Sequence, residues 1–214
     1  MTSLLVRVRM LRQALCLGLL GVLATACSSV SPRADFEKSL QTSYPLEDRI
    51  VGGYDTTQLT DAPLRALVVA RLDVPAEEAF ALMLTGIHEW FPGVQEFTWT
   101  NTEDGEIVAG SVRTGEFEGS RMVEPVRFID PGHVYVYQID LEATEKWIPV
   151  DVHMGIFTVD ALTDSTSLVI WRQYFTPCVP LTGQLVAYVM EDRVAEQAFD
   201  ELVERYGGER LEYR

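Results

Sequence analysis

The chain has 214 residues, enough for one ordinary domain with extensions and too few for two full ones. Its 32 acidic side chains outnumber 17 Lys and Arg, for a formal net charge of −15. A surface so negative repels phosphate backbones and draws nothing from anionic headgroups, which argues against a nucleic-acid partner.

In chain order, Arg7, Arg9 and Arg12 form a positive lead, and residues 14–26 are an apolar run that ends in small side chains. That is the layout of a secretory signal peptide rather than of a spanning helix, for which the run is too short. Leu23, Ala24, Thr25, Ala26 and Cys27 resemble the lipobox of bacterial lipoproteins, in which the cysteine thiol is acylated and becomes the new N-terminus. The resemblance implies a leader over 1–26, lipidation of Cys27, and a place in the bacterial cell envelope on the periplasmic side of an outer membrane. The alternative is an ordinary signal peptide that holds a cysteine. Cys16 would leave with the leader, so the mature chain keeps Cys27 and Cys178. With lipid on Cys27 no intramolecular disulfide is possible, and stability must come from the core alone. Cleavage removes three arginines and no acid, taking the formal charge from −15 to −18. Attachment would then rest on acyl chains without help from a basic stripe.

Residues 27–62 are polar with scattered hydrophobics and read as an acylated N-terminus followed by a flexible tether. Arg49, Ile50, Val51, Gly52 and Gly53 look like the activated N-terminus of a trypsin-like protease, but no serine in a Gly-rich turn follows, and the match is rejected. A strand is expected over 64–74. Asp73 and Pro75 then open a helix with Glu77 and Glu78 in its first turn, where the helix dipole favours acids. Ala79, Phe80, Met83, Leu84 and Ile87 make its buried face. Strand-like runs follow over 95–101, 107–117, 121–129, 133–141, 148–161 and 167–176, separated by turn residues at 103–105, 130–132 and 163–165. They imply a seven-stranded, mainly antiparallel meander. A long helix closes the chain, with Ala187, Met190, Val194, Ala195, Ala198, Phe199, Leu202 and Tyr206 on one side and Gly207 and Gly208 as its stop. Residues 208–214 read as a tail.

Strand, short helix, meander and long final helix resemble the START-like, or SRPBCC, superfamily of polyketide cyclases and lipid-transfer domains. The local likeness lies in Leu72–Asp73–Val74–Pro75–Ala76–Glu77–Glu78–Ala79–Phe80, followed by His88–Glu89–Trp90–Phe91–Pro92–Gly93–Val94. It extends over residues 63–207 and implies an α+β helix-grip fold, a curved sheet wrapped around the C-terminal helix with an apolar pocket between them. Trp90 and Phe91 would be wedges at one end of that pocket, and Arg113, Met154, Arg172, Tyr174 and Ala198 would be ligand-facing. Strand alternation puts Leu168, Ile170, Arg172 and Tyr174 on one face and Val169, Trp171, Gln173 and Phe175 on the other, without saying which meets the helix.

His88, His133 and His153 stand singly, without metal-ligand spacing, and no phosphate-binding loop is present, so neither metal nor cofactor is expected. Three functions stay open. One is an envelope lipoprotein binding a hydrophobic or amphipathic small molecule or lipid. Another is a cyclase- or hydrolase-like enzyme using Arg172 and Tyr174 with His88 or Glu124. The last is a noncatalytic docking protein whose cavity is filled by side chains.

Overall fold

Eight strands pair antiparallel in one sheet of the computed structural model, which describes residues 50–51, 54–95 and 97–211. Cys27, the leader and the segment up to residue 49 lie outside the described residues. A small hairpin, β1 (Ile50–Val51) and β2 (Tyr54–Asp55), precedes the sheet, and Asp55 then caps a single 3-10 turn at Thr56–Gln58. Thr56, Thr60 and Ala62 are buried, so the packed unit begins before residue 63, inside the stretch expected to be tether.

The main sheet holds β3 (Leu64–Leu72), β4 (Thr98–Thr100), β5 (Val112–Phe117), β6 (Ser120–Asp130), β7 (Val134–Gln138), β8 (Val150–Thr163), β9 (Thr166–Pro177) and β10 (Gly208–Arg210). β4 to β9 follow one another as a meander, and β3 joins on β9. Register irregularities at 64/66 in β3, 126/128 in β6 and 150/152 in β8 bend the strands, as bulges do. β10 is an eighth strand where a tail was expected. Its Gly-Glu-Arg sequence has no alternation to announce it. Gly208, at φ 114°, lies so close to Arg71 that a Cβ there would fall 2.0 Å from the Arg71 carbonyl oxygen, and Glu209 then reaches the Arg71 guanidinium.

Two expected strands are shorter than their runs. Residues 107–111 form a turn, because Ser111 Oγ accepts from Val108 N–H and donates to the Asn101 carbonyl, and Gly110 sits at φ 95°. Among the described residues of the 95–101 run, Thr98–Thr100 pair as a strand.

Helix α1 (Ala76–Leu84) buries Ala79, Phe80, Leu82 and Met83, and α2 (Ile87–Trp90) buries Ile87 and Trp90. The C-terminal helix runs unbroken from Gly183 to Tyr206 as α3 (Gly183–Tyr188), a π-helical segment (Val189–Ala195) and α4 (Glu196–Tyr206). Ala195, Ala198, Phe199 and Leu202 are buried against the concave face, where Val169, Trp171, Phe157 and Val159 belong to the same core. The small side chains at 195 and 198 let the helix backbone approach the sheet, and the helix-grip fold follows. On the opposite face Met154, Ile156, Tyr174, Val134 and Val136 form a second cluster, packed by Ala62, Leu59, Leu64 and Phe128.

Candidate functional site

Between the sheet and the π-helical segment lies a cavity of about 390 Å³. Phe91, Phe97, Tyr137 and Trp171 supply aromatic wall, and Val189, Met190, Arg193 and Val194 face it from the helix. These four helical residues all belong to the π-helical segment, where Glu196 N–H bonds back to the Glu191 carbonyl. A π turn widens the helix and re-aims its side chains, a distortion often found at functional sites.

Two glycines make room for two of the rings. A Cβ at Gly155 would lie 2.2 Å from Tyr137 Cζ, and one at Gly115 would lie 2.1 Å from Phe97 Cδ1. The rings therefore lie over bare backbone, a close approach that a strand glycine often marks.

At one end the wall is charged. Arg113 Nε donates to Glu124 Oε2 at 2.9 Å, and both side chains are buried. The guanidinium carbon stands 4.5 Å from the Phe97 ring centre, 5.4 Å from that of Tyr137 and 5.6 Å from that of Tyr135, within cation–π range. Burial alone would lower the Arg113 pKa, but the Glu124 carboxylate outweighs it and holds the group more firmly charged than usual. Burial pushes both phenols upward, so Tyr135 and Tyr137 keep their protons.

Nearby, His153 Nε2 and Gln173 Oε1 are 3.0 Å apart, and each residue is 1% exposed. The imidazole stacks on Phe175 at 6.2 Å and 9°. Burial lowers its pKa to about 4, with the Gln173 bond pulling the other way. His153 is therefore neutral at pH 7.

The expected site residues divide by strand face. Arg113 and Phe91 line the cavity, and so does Glu124. Trp90 is a wedge and does not line it: its Nε1 donates to the Leu82 carbonyl at 3.0 Å and its ring meets Phe199 edge-on. Ala198 belongs to the closed core on another side of the helix, and the space is lined instead by Val194 and Gln197. Met154, Arg172 and Tyr174 are corrections. Met154 pairs with Tyr174 in register on the other side of the sheet, and Arg172 donates there to Thr158 at 3.2 Å, with its pKa lowered to about 10 by burial. His88 is exposed on α2. Phe97, Tyr137, His153 and Gln173, not among the residues expected to face a ligand, also line the cavity, and the strand glycines 115 and 155 are the signal that lies near them.

His153 gives a pH test. Its folded pKa of about 4 lies below the ordinary 6.5, so the unfolded chain takes the proton first and stability falls as pH drops from about 6.5 towards 4. That window is worth about 3 kcal/mol. In urea unfolding, His153→Phe should gain about that much relative to the parent between pH 7 and pH 4, and a constant gap would contradict the neutral buried imidazole.

The described chain matches the family model for polyketide cyclase / dehydrase and lipid transport over residues 65–207. No curated protein matches it. Among solved structures it is similar to a Thermobifida fusca protein determined by solution NMR, at 24% identity and TM-score 0.54, covering 66% of this chain and 92% of that one. It is similar to XoxI of Bacillus cereus at 18% identity and TM-score 0.53, over 66% and 94% of the two chains. A START superfamily protein of Mycobacterium smegmatis gives 11% identity and TM-score 0.54, over 67% and 97%. At such identities the likeness to these structures is one of fold. The family match spans more than half of the chain, from the first strand of the main sheet to the end of the C-terminal helix, and the protein belongs to the polyketide cyclase/dehydrase and lipid transport family.

Proposed function

We propose that the protein binds a hydrophobic or amphipathic small molecule in the cavity between sheet and helix, and that acyl chains on Cys27 hold it to a bacterial membrane in the cell envelope. The observation that carries the binding reading is the cavity itself, about 390 Å³ of space walled by Phe91, Phe97, Tyr137, Trp171 and Val194. Its size lies in the range of small-molecule sites. A lipophile that buries about 300 Å² of apolar surface gains about 7.5 kcal/mol from that burial, against which the cost of association is set. The family description, which includes lipid transport, agrees with this class of ligand.

The geometry favours binding over catalysis. Of the polar groups considered for an enzyme, Glu124 and Arg113 reach the cavity, where they engage each other. Arg172 and Tyr174 lie on the far face of the sheet, and His88 faces solvent. A docking protein with a filled interior would have no such space.

The envelope address rests on the small residues before Cys27 and on the leader ahead of them. Among the described residues no helix is long and apolar enough to cross a membrane.

Two outcomes are expected. Val194→Trp, which places an indole in the cavity from a half-buried position, should weaken binding of the neutral dye Nile red at least tenfold while the unfolding midpoint moves by only a few degrees. Ala198→Trp should instead cost about 1–3 kcal/mol of stability by overpacking the closed core. Dye binding by Val194→Trp equal to that of the parent would contradict the site. For the address, Cys27→Ala should move the protein from membrane to soluble fractions, and acyl labelling that persists in that variant would remove the anchor.

A further inference from the structure

The Arg113–Glu124 ion pair stands where it bears on what the cavity accepts. The two residues face each other in register on β5 and β6, so their side chains project from one face of the sheet, and both line the cavity. Burying the two charges costs more desolvation than an apolar pair would. The rings of Phe97, Trp99, Tyr135 and Tyr137 stand within cation–π range of the guanidinium. Arginine holds a carboxylate by charge-assisted hydrogen bonds, and Glu124 Oε2 already accepts one from Arg113 Nε at 2.9 Å.

The other cations on the cavity do not replace Arg113. Lys146 is paired with Glu118. Arg193 lies 3.3 Å from Asp192 of its own helix, with 65% of its side chain exposed, and an ion pair made in water at such a place is weak. Of the three cations that line the cavity, Arg113 alone is buried.

Glu116, Glu118 and Glu124 balance those cations in number, and the formal charge of −15 disfavours the approach of an anion. A carboxylate that entered would find the buried cation engaged and the Glu124 charge beside it. We infer that Glu124 occupies, from within the chain, the place on Arg113 that an acidic ligand would take, and so restricts the cavity to lipophiles without an acidic group. This rests on the binding reading above. Fatty acids and other carboxylic acids are thereby excluded, and esters, alcohols and hydrocarbons of the same size are admitted.

The test is displacement of Nile red from the purified protein at neutral pH by naphthoate and by its neutral methyl ester, which share one ring system. The ester should displace the parent's dye at a concentration about tenfold lower than naphthoate does. Glu124→Ala uncovers Arg113 on the cavity, and there the ratio should move towards naphthoate by about tenfold, whatever the variant's own affinity for the dye. Where the uncompensated cation of Glu124→Ala unfolds the chain, Glu124→Gln, which keeps an acceptor beside Arg113, takes its place, with a movement of about threefold expected. Arg113→Met combined with Glu124→Met replaces the pair by apolar side chains, a change that folds often tolerate, and the preference for the ester should return. Equal displacement of the parent's dye by naphthoate and ester would overturn the inference and leave the cavity reading intact. So would an unmoved ratio in the single variant, or a moved ratio that persists in the double one. Failure of the parent to bind the dye would remove the cavity reading and this one with it.

Discussion

One row of aromatic rings ties the C-terminal helix to the sheet. Phe199 meets Trp171 at 6.1 Å and 16°, and Trp171 stacks at 5.0 Å and 19° on Phe157, its register partner on the adjacent strand, so one helix ring joins a row of two strand rings. Trp90 closes the stack edge-on at 6.0 Å from Phe199. Rings that bury this much apolar area dominate a core of this size, and the neighbouring Ala195, Ala198 and Leu202 complete a dry contact.

The cavity is the remainder of that arrangement. At its other end the helix is seated again, where Val186 packs with Ala66, Val150 and Phe175. Between the two seats the helix is π-wound and its side chains, Val189, Met190, Arg193 and Val194, do not fill the distance to the curved sheet. Trp171 belongs both to the stack and to the cavity wall, so packing and binding share a side chain. Gly115 and Gly155 keep Phe97 and Tyr137 flat against the strands, which leaves open the volume that upright rings would occupy.

The sequence made the architecture legible because each element carried a local signal: the acid-rich helix start at Glu77 and Glu78, turn residues between strands, and the apolar stripe through Phe199 and Leu202. β10 carried none, since it exists through backbone proximity at Gly208 and not through its own side chains. The site was legible only in part. Alternation separated Arg172 and Tyr174 from Trp171 and Gln173, yet Leu168 and Ile170 are as apolar as Val169, so nothing local showed which face would meet the helix. That choice is made by the segment through Leu59, Ala62 and Leu64, which covers the far face and lets it be apolar too. Arg113 and Phe91, expected to face a ligand, line the cavity, whereas His153 reads as a single residue in the sequence because its partner lies on the next strand, 20 residues away.

The central claim is that ligand occupies the space under the π-helical segment and no other part of the molecule. Methyl NMR during titration with Nile red tests it most directly, because methyl groups report from both faces of the sheet. The account predicts shifts for Ile139, Ile148, Val189, Met190 and Val194, with Leu67, Met154, Ile156 and Ile170 on the far face unmoved. Shifts concentrated on the far face, or none at saturating dye, would contradict it.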